Sequence, residues 1–273
     1  MITFVKLIRL PNSLMAGAGV VIGYTCADDF SSVPGIFWGA ASLTLLAMGG
    51  YIQNDLADLA TDRHSHPDRP LITHAFSEKN VRLWCYCLYF LGIAAACMTG
   101  MAHGVLAFII VFLLWMYNKH LKGRVLVGNL TVSLLCALPL YYAECPGLVK
   151  QTLVPVVFAF LTTFAREIIK DIQDLDGDTA AGLATFPVRY GPGPAKKVAG
   201  LVMVLTLFFL PFPVLMFDYH ISFGISAGLF VALPLLKALF QIISHDPPWA
   251  AAQKSLKITM LGGMASLVLG KVF

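Results

Sequence analysis

Charge is what this chain has least of. Asp, Glu, Lys and Arg make up 12% of its 273 residues, where a soluble globular domain carries about 25%. Hydrophobic residues account for 58% and the mean hydropathy is +0.77, which excludes a water-soluble globule and makes lipid the solvent of the fold. Other absences narrow the class further. Cys26, Cys85, Cys87, Cys97, Cys136 and Cys145 include no CxxC pair, so no zinc site is expected and they read as small apolar packing residues. Short alternating apolar segments, the mark of a membrane β-barrel, are missing. The basic residues lack interleaved aromatics, so a net charge of +4 implies no nucleic-acid partner. Gly23-Tyr24-Thr25 ahead of Cys26 is a poor match to a lipoprotein processing signal, and the first apolar stretch is expected to stay on the chain.

Long apolar runs are what the chain has instead. A hydrocarbon core of roughly 30 Å takes about 20 apolar residues per helix. Nine runs approach that length, at roughly 13–28, 35–58, 82–101, 103–118, 127–144, 152–173, 196–216, 221–243 and 254–272. The expected fold class is all-α, an integral membrane bundle of about nine transmembrane helices, with residues 1–273 as a single domain. Lys and Arg then set the orientation. Lys6 and Arg9 precede the first run, while Arg63, Arg69, Lys79 and Arg82 lie between the second and third. Lys119, Lys122 and Arg124 lie between the fourth and fifth; Arg189, Lys196 and Lys197 follow the sixth, and Lys254 opens the ninth. With nine spans all of these fall on one side. A multi-pass protein of the cell membrane is therefore expected, with the N-terminus and basic loops cytoplasmic and the C-terminus outside.

Two acidic clusters break the apolar pattern on that same side, where ionisable groups at the ends of membrane helices call for a role. In the first, Asp55, Asp58 and Asp62 recur at i, i+3 and i+7, on one helical face, with Asn54 beside Asp58. In the second, Asp171, Asp174 and Asp178 repeat the spacing, while Asp176 points elsewhere. Carboxylates so close repel one another unless a cation relieves them. Oxygen ligands favour Mg2+, which takes one or two carboxylates together with phosphate oxygens. Two Asp-rich helices facing each other would cradle a diphosphate between metal ions. Fixed cations stand nearby to stabilise a departing diphosphate: Arg63 and Arg69 after the first cluster, Arg166 and Lys170 before the second, and Lys119, Lys122 and Arg124 between them.

Asn54-Asp55-x-x-Asp58-x-x-x-Asp62, followed by Pro67-Asp68-Arg69-Pro70, resembles the first signature of the UbiA superfamily of intramembrane prenyltransferases, and Asp171-x-x-Asp174-x-x-x-Asp178 resembles its second. Leu10-Pro11-Asn12-Ser13-Leu14-Met15-Ala16, the stretch from Tyr117-Asn118-Lys119-His120-Leu121-Lys122 through Gly128-Asn129, and Arg166-Glu167-Ile168-Ile169-Lys170-Asp171 look most like the branch of digeranylgeranylglyceryl phosphate synthases. The resemblance implies that Asn54, Asp55, Asp58, Asp62, Asp171, Asp174 and Asp178 serve Mg2+ and diphosphate, and that Asn12, Lys122 and Arg166 lie near the phosphate-binding pocket. It implies transfer of a geranylgeranyl group from its diphosphate to geranylgeranylglyceryl phosphate, forming an ether lipid, with Mg2+ and no organic cofactor. Asp62 and Glu167 are the candidate bases. No obligate protein partner is evident.

Two other readings stand beside it. A quinone or tetrapyrrole precursor would be an aromatic acceptor for the same enzyme class. A phosphorylated acceptor needs a second basic pocket, which Lys119, Lys122 and Arg124 can supply. A cation transporter would use the acids as its path, but its carboxylates should recur through membrane depth, and here they gather at one face.

Overall fold

A backbone in lipid must satisfy its own hydrogen bonds, and these apolar runs fold accordingly. The computed structural model describes residues 2–27, 32–59, 69–73, 75–147 and 150–272, and no strand occurs among them. In chain order the helices are α1 (Ile2–Leu7), α2 (Leu10–Cys26), α3 (Val33–Ala57), α4 (Glu78–Thr99) and α5 (Met101–Met116), the last prolonged by a π-helical turn, Tyr117–Leu121. Then come α6 (Val127–Tyr141), α7 (Lys150–Gln173), α8 (Leu175–Ala180), α9 (Phe186–Tyr190), α10 (Pro192–Phe209) and α11 (Phe212–Met216). A π-helical turn, Gly228–Ala232, joins α12 (Ile221–Ala227) to α13 (Leu233–Ile243), and α14 (Trp249–Val272) ends the fold.

Local sequence marks several boundaries. Ser32 accepts a hydrogen bond from the Gly35 amide at 3.2 Å and starts α3. Ser77 accepts from the Asn80 amide at 3.4 Å and starts α4. Such caps satisfy amides that have no partner in the first turn. Gly100 alone separates α4 from α5, so the two form a tight helical hairpin.

Helices lie at all nine expected places. Among the described residues six segments are long and apolar enough to cross a membrane: Val33–Ala57, Glu78–Thr99, Met101–Leu121, Thr152–Gln173, Pro192–Phe209 and Ile221–Ile243. Of the other three, α2 and α6 have 17 and 15 residues, and α14 carries Lys254, Lys257 and Lys271.

Each acidic motif ends a helix at the centre of its own core. Around α3, buried Leu43, Leu46 and Ile52 pack with Leu7 and Ile8, Val20 of α2 and Val81 of α4. Around α7, Ile168, Ile169 and Ile172 pack with Met203 of α10, Leu235 of α13 and Leu256 of α14. A third cluster, with Ile22, Leu140, Val154, Phe223 and Leu267, ties α2 and α6 to α7, α12 and α14. Small residues let the rods approach closely: a Cβ on Gly49 of α3 would lie 2.6 Å from the Tyr89 ring of α4, and one on Gly23 of α2 would lie 2.5 Å from the Leu140 carbonyl oxygen of α6.

One expectation needs correction. The acidic motifs do not continue as uninterrupted helical faces. α3 stops at Ala57 and α7 at Gln173, and the next polar residues, Asp58 and Asp174, leave helical geometry with φ −93°, ψ 5° and φ −92°, ψ 9°. Asp178 lies on the separate helix α8. Asp171, Asp174 and Asp178 would stack like charges on successive turns of a continuous helix, which disfavours its running on unbroken.

Candidate active site

Arg9, Asp58, Lys122, Asn129 and Asp171 come from five separate chain segments; hydrogen bonds tie Arg9 and Lys122 to the first motif and Asn129 to the second. Asp55, in the last turn of α3, is 3% exposed. Its Oδ1 accepts from Arg9 Nη2 at 2.7 Å and Arg69 Nη1 at 3.3 Å. Asp58, one turn on, is held through both carboxylate oxygens by the Lys122 ammonium group. Asn54 donates to Asn118 Oδ1 at 3.1 Å, and Asn118 is itself fixed by donating to the Leu114 carbonyl at 2.8 Å. A hydrogen bond from Tyr89 to Gln53 Oε1 at 2.6 Å braces this end of α3 from α4.

The second motif faces the first. Asp171 Oδ2 accepts from Asn129 Nδ2 of α6 at 2.7 Å. Asp178 Oδ2 accepts from the Thr185 hydroxyl at 3.2 Å. Burial pushes the Asp178 carboxyl above the usual carboxylate range and Asp174 adds to the rise, while the Thr185 hydrogen bond, Lys170 and Lys122 work against it. Lys122 thus pairs with the first motif and lies within electrostatic reach of the second. Tyr117, in the π-helical turn, does the same: Asp58, Glu167, Asp171 and Asp178 all act on its phenol.

Deeper in the bundle, Arg166 Nη1 donates to Glu167 Oε1 at 2.7 Å. The Arg166 Nε is buried and, among the described residues, has no hydrogen-bond partner, so it keeps a donor free for a ligand. Tyr51 of α3 and the exposed Cys136 of α6 lie within electrostatic reach of this pair. An aromatic and a thiol group are thus near the Arg166–Glu167 pair.

Most of the residues expected to act together are found together. Asn54, Asp55, Asp58, Asp171, Asp178, Arg69 and Lys122 stand in the contacts just described, and Asp174 is exposed beside them. Lys170 is exposed but close enough to act electrostatically on Asp171 and Asp178. Asp62 and Arg63 lie outside the described residues. Three expected phosphate ligands sit further out: Asn12 is exposed at the start of α2, Arg124 is exposed, and Lys119 places its ammonium 4.9 Å above the Trp115 ring. Sequence reasoning treated Arg9 only as a topology marker and gave Asn118 and Asn129 no role. Asn129, 6% exposed near the start of an apolar helix, carried a signal, since a buried amide needs partners. Arg9 carried none: it reaches Asp55 through a left-handed backbone, φ 44°, ψ 52°, that a non-glycine residue rarely adopts.

The arrangement suits a hard cation. Among the described residues no three His, Cys, Asp or Glu side chains already form a cage, but Mg2+ takes one or two carboxylates and fills its remaining positions with phosphate oxygens and water. The Lys122 ammonium on Asp58 marks a place where positive charge is already accommodated.

The sequence profile of the UbiA prenyltransferase family matches residues 14–261. A digeranylgeranylglyceryl phosphate synthase from Sulfurisphaera tokodaii is 28% identical over 98% of this chain and 97% of its own length. A solved structure reported for digeranylgeranylglyceryl phosphate synthase in membranes superposes with a TM-score of 0.79 at 23% identity, covering 99% of this chain and 98% of that one. The structure of a UbiA homologue from Archaeoglobus fulgidus bound to GPP and Mg2+ superposes with a TM-score of 0.73 at 18% identity, covering 97% of this chain and 99% of that one.

Proposed function

The chain belongs to the UbiA prenyltransferase family, and from that premise we propose that it joins the geranylgeranyl group of its diphosphate to geranylgeranylglyceryl phosphate as an ether, with Mg2+ as cofactor. The enzyme is a prenyltransferase. The observation that carries the reading is the convergence of the two acidic motifs on Lys122 and Tyr117, with guanidinium groups on either side. A full-length relative named for making digeranylgeranylglyceryl phosphate supports the acceptor, and a structural relative bound to GPP and Mg2+ supports the donor and the cation.

In this reading Asn54, Asp55, Asp58, Asp62, Asp171, Asp174 and Asp178 are the set that would hold Mg2+. Bound there, the ion would hold the diphosphate and neutralise charge growing on it. Arg63, Arg69, Lys122, Arg166 and Lys170 add fixed positive charge where the leaving group forms. As the allylic C–O bond breaks, its electron pair stays with the diphosphate. The acceptor oxygen forms the new bond to C1 of the prenyl group and gives up its proton, for which Asp62 and Glu167 are the candidate acceptors. Asn12, Lys119 and Arg124 are assigned to the acceptor's phosphate. The apolar helices beneath hold the prenyl tail and exclude water, which would otherwise capture the cation. The whole of 1–273 is read as one domain, with its basic end cytoplasmic.

Detergent-purified protein given Mg2+, geranylgeranyl diphosphate and either geranylgeranylglyceryl phosphate or 4-hydroxybenzoate tests this by mass spectrometry. Diether is expected, and it should disappear with EDTA or with Asp58→Ala. Aromatic product alone would move the acceptor to a quinone precursor, and no product with either acceptor would count against the reading.

A further inference from the structure

Lys122 sits on a strap that belongs to both halves of the site. Its own amide donates to the Tyr117 carbonyl at 2.8 Å and closes the π-helical turn. The next residue, Gly123, has φ 76° and accepts at its carbonyl from the Ala184 amide at 2.8 Å. A Cβ at Gly123 would lie 2.7 Å from the Leu183 side chain, so the strap is pressed against the segment that follows the second motif. That segment is itself anchored to Asp178, whose carbonyl accepts from the Leu183 amide at 2.9 Å and whose carboxylate accepts from Thr185. The Lys122 side chain is thereby delivered onto Asp58, where its ammonium group covers both carboxylate oxygens.

The charge of the first motif's described acids is already compensated, whereas among the described residues Asp171 and Asp178 have only the neutral hydrogen-bond partners Asn129 and Thr185. Asp55 has Arg9 and Arg69, Asp58 has Lys122, and Glu167 has Arg166. A divalent cation arriving alone at Asp58 would have to displace Lys122 and leave an ammonium group without its partner beside Arg9 and Arg69. A diphosphate changes that balance, because its oxygens can take up the ammonium as strongly as a carboxylate does.

We propose that Lys122 is the resident counter-ion of the first motif: its ammonium group occupies Asp58 until a diphosphate arrives to receive it, so that divalent-cation binding at Asp58 is conditional on the diphosphate. The inference rests on the reading of the acidic motifs as the metal and diphosphate site, and it concerns the order in which that site fills. Its consequence is that free Mg2+ would not load Asp58 in advance. Lys122 exchanges one anionic partner for another rather than losing one.

Equilibrium dialysis of detergent-solubilised protein against Mn2+ tests this, with protein-bound metal counted with and without inorganic diphosphate at equal free concentration on both sides. Lys122→Met removes the charge, and Lys122→Gln keeps a hydrogen-bond donor; each is first checked by circular dichroism for wild-type helicity, so one folded variant suffices. Without diphosphate, either variant should bind Mn2+ about tenfold more tightly than wild type. Diphosphate should tighten wild-type binding strongly and the variants' binding much less. Unchanged or weaker Mn2+ binding by both variants without diphosphate would overturn the proposal. Failure of wild type to retain Mn2+ even with diphosphate would instead overturn the site reading beneath it, and Asp58→Asn should weaken retention in the presence of diphosphate.

Discussion

Asp58 and Asp174 hold equivalent places in their motifs, and their backbones differ by only a few degrees. Both lie in the sparsely populated bridge region, where active-site residues are often found. Each still donates its amide to a carbonyl four residues back, at 2.9 Å from Asn54 and Lys170, so the helix hydrogen-bond pattern persists across the break, and α8 begins directly after Asp174. The motifs are thus built to end a helix at the second acid. What aims the first acid of each motif is a neighbour: Arg9 and Arg69 for Asp55, Asn129 for Asp171. Asn129 is the more testable, because it is uncharged and replacing it leaves the net charge of the site unchanged. Groups that orient a metal-binding carboxylate typically contribute 10- to 100-fold, so Asn129→Ala should lower apparent Mg2+ affinity by about tenfold or more. A Mg2+ titration of product formation measures it. An unchanged half-saturation with lowered maximal rate would mean that Asn129 does not act through Asp171.

At the scale of helices, the rods were legible because lipid demands long apolar runs, and hydropathy alone finds them. The motif acids were legible because charge at the end of such a run is costly and stands out. Their partners were harder to see. Arg9 lies before the first run, and nothing in its spacing says that a left-handed residue will turn it onto a carboxylate 46 positions away. Helix breaks at Asp58 and Asp174 were also hidden, since the i, i+3, i+7 pattern reads the same whether the helix continues or stops. Close helix contacts depend on glycines whose packing role the sequence leaves open. Gly23→Val would drive a branched side chain against the Leu140 carbonyl of α6, a backbone atom that cannot rotate away. Overpacking of this kind costs about 1–3 kcal/mol. Gly193, at the start of α10, has nothing within 4 Å of a would-be Cβ and an ordinary φ; Gly193→Ala should leave thermal stability in detergent unchanged or slightly raised. A thermal melt of both variants decides the matter, and equal melting temperatures would mean that α2 and α6 are not packed as closely as the geometry requires.

Seen as one object, the molecule has two chemically distinct ends. Arg9, Arg69, Lys122, Asn129, Asp171 and Asp178 meet at one. At the other, His103 Nε2 lies 3.1 Å from the Tyr142 carbonyl, Tyr142 donates to Thr99 Oγ1 at 3.2 Å, and the His220 amide donates to the Gly270 carbonyl at 3.4 Å. The chain enters at the first end, where α2 begins beside Arg9, and finishes at the second, where Gly270 meets His220. α14 starts near the acidic end, with Gln253 donating to Gln173 Oε1 at 2.7 Å, and so runs from one end to the other. An odd number of crossings puts the termini on opposite faces of a membrane, and an even number puts them on the same face. Nine crossings include the short rods α2 and α6 and the lysine-bearing α14, whereas counting only the six long apolar helices leaves them out. Lys and Arg favour the cytoplasmic side, so the basic end and the N-terminus are expected there. A fluorescent reporter that folds only in the cytoplasm should be bright when fused to residue 1, and alkaline phosphatase, active only outside, should be active when fused after residue 273. If both fusions report the same compartment, the number of crossings is even, and either one or all three of α2, α6 and α14 do not cross.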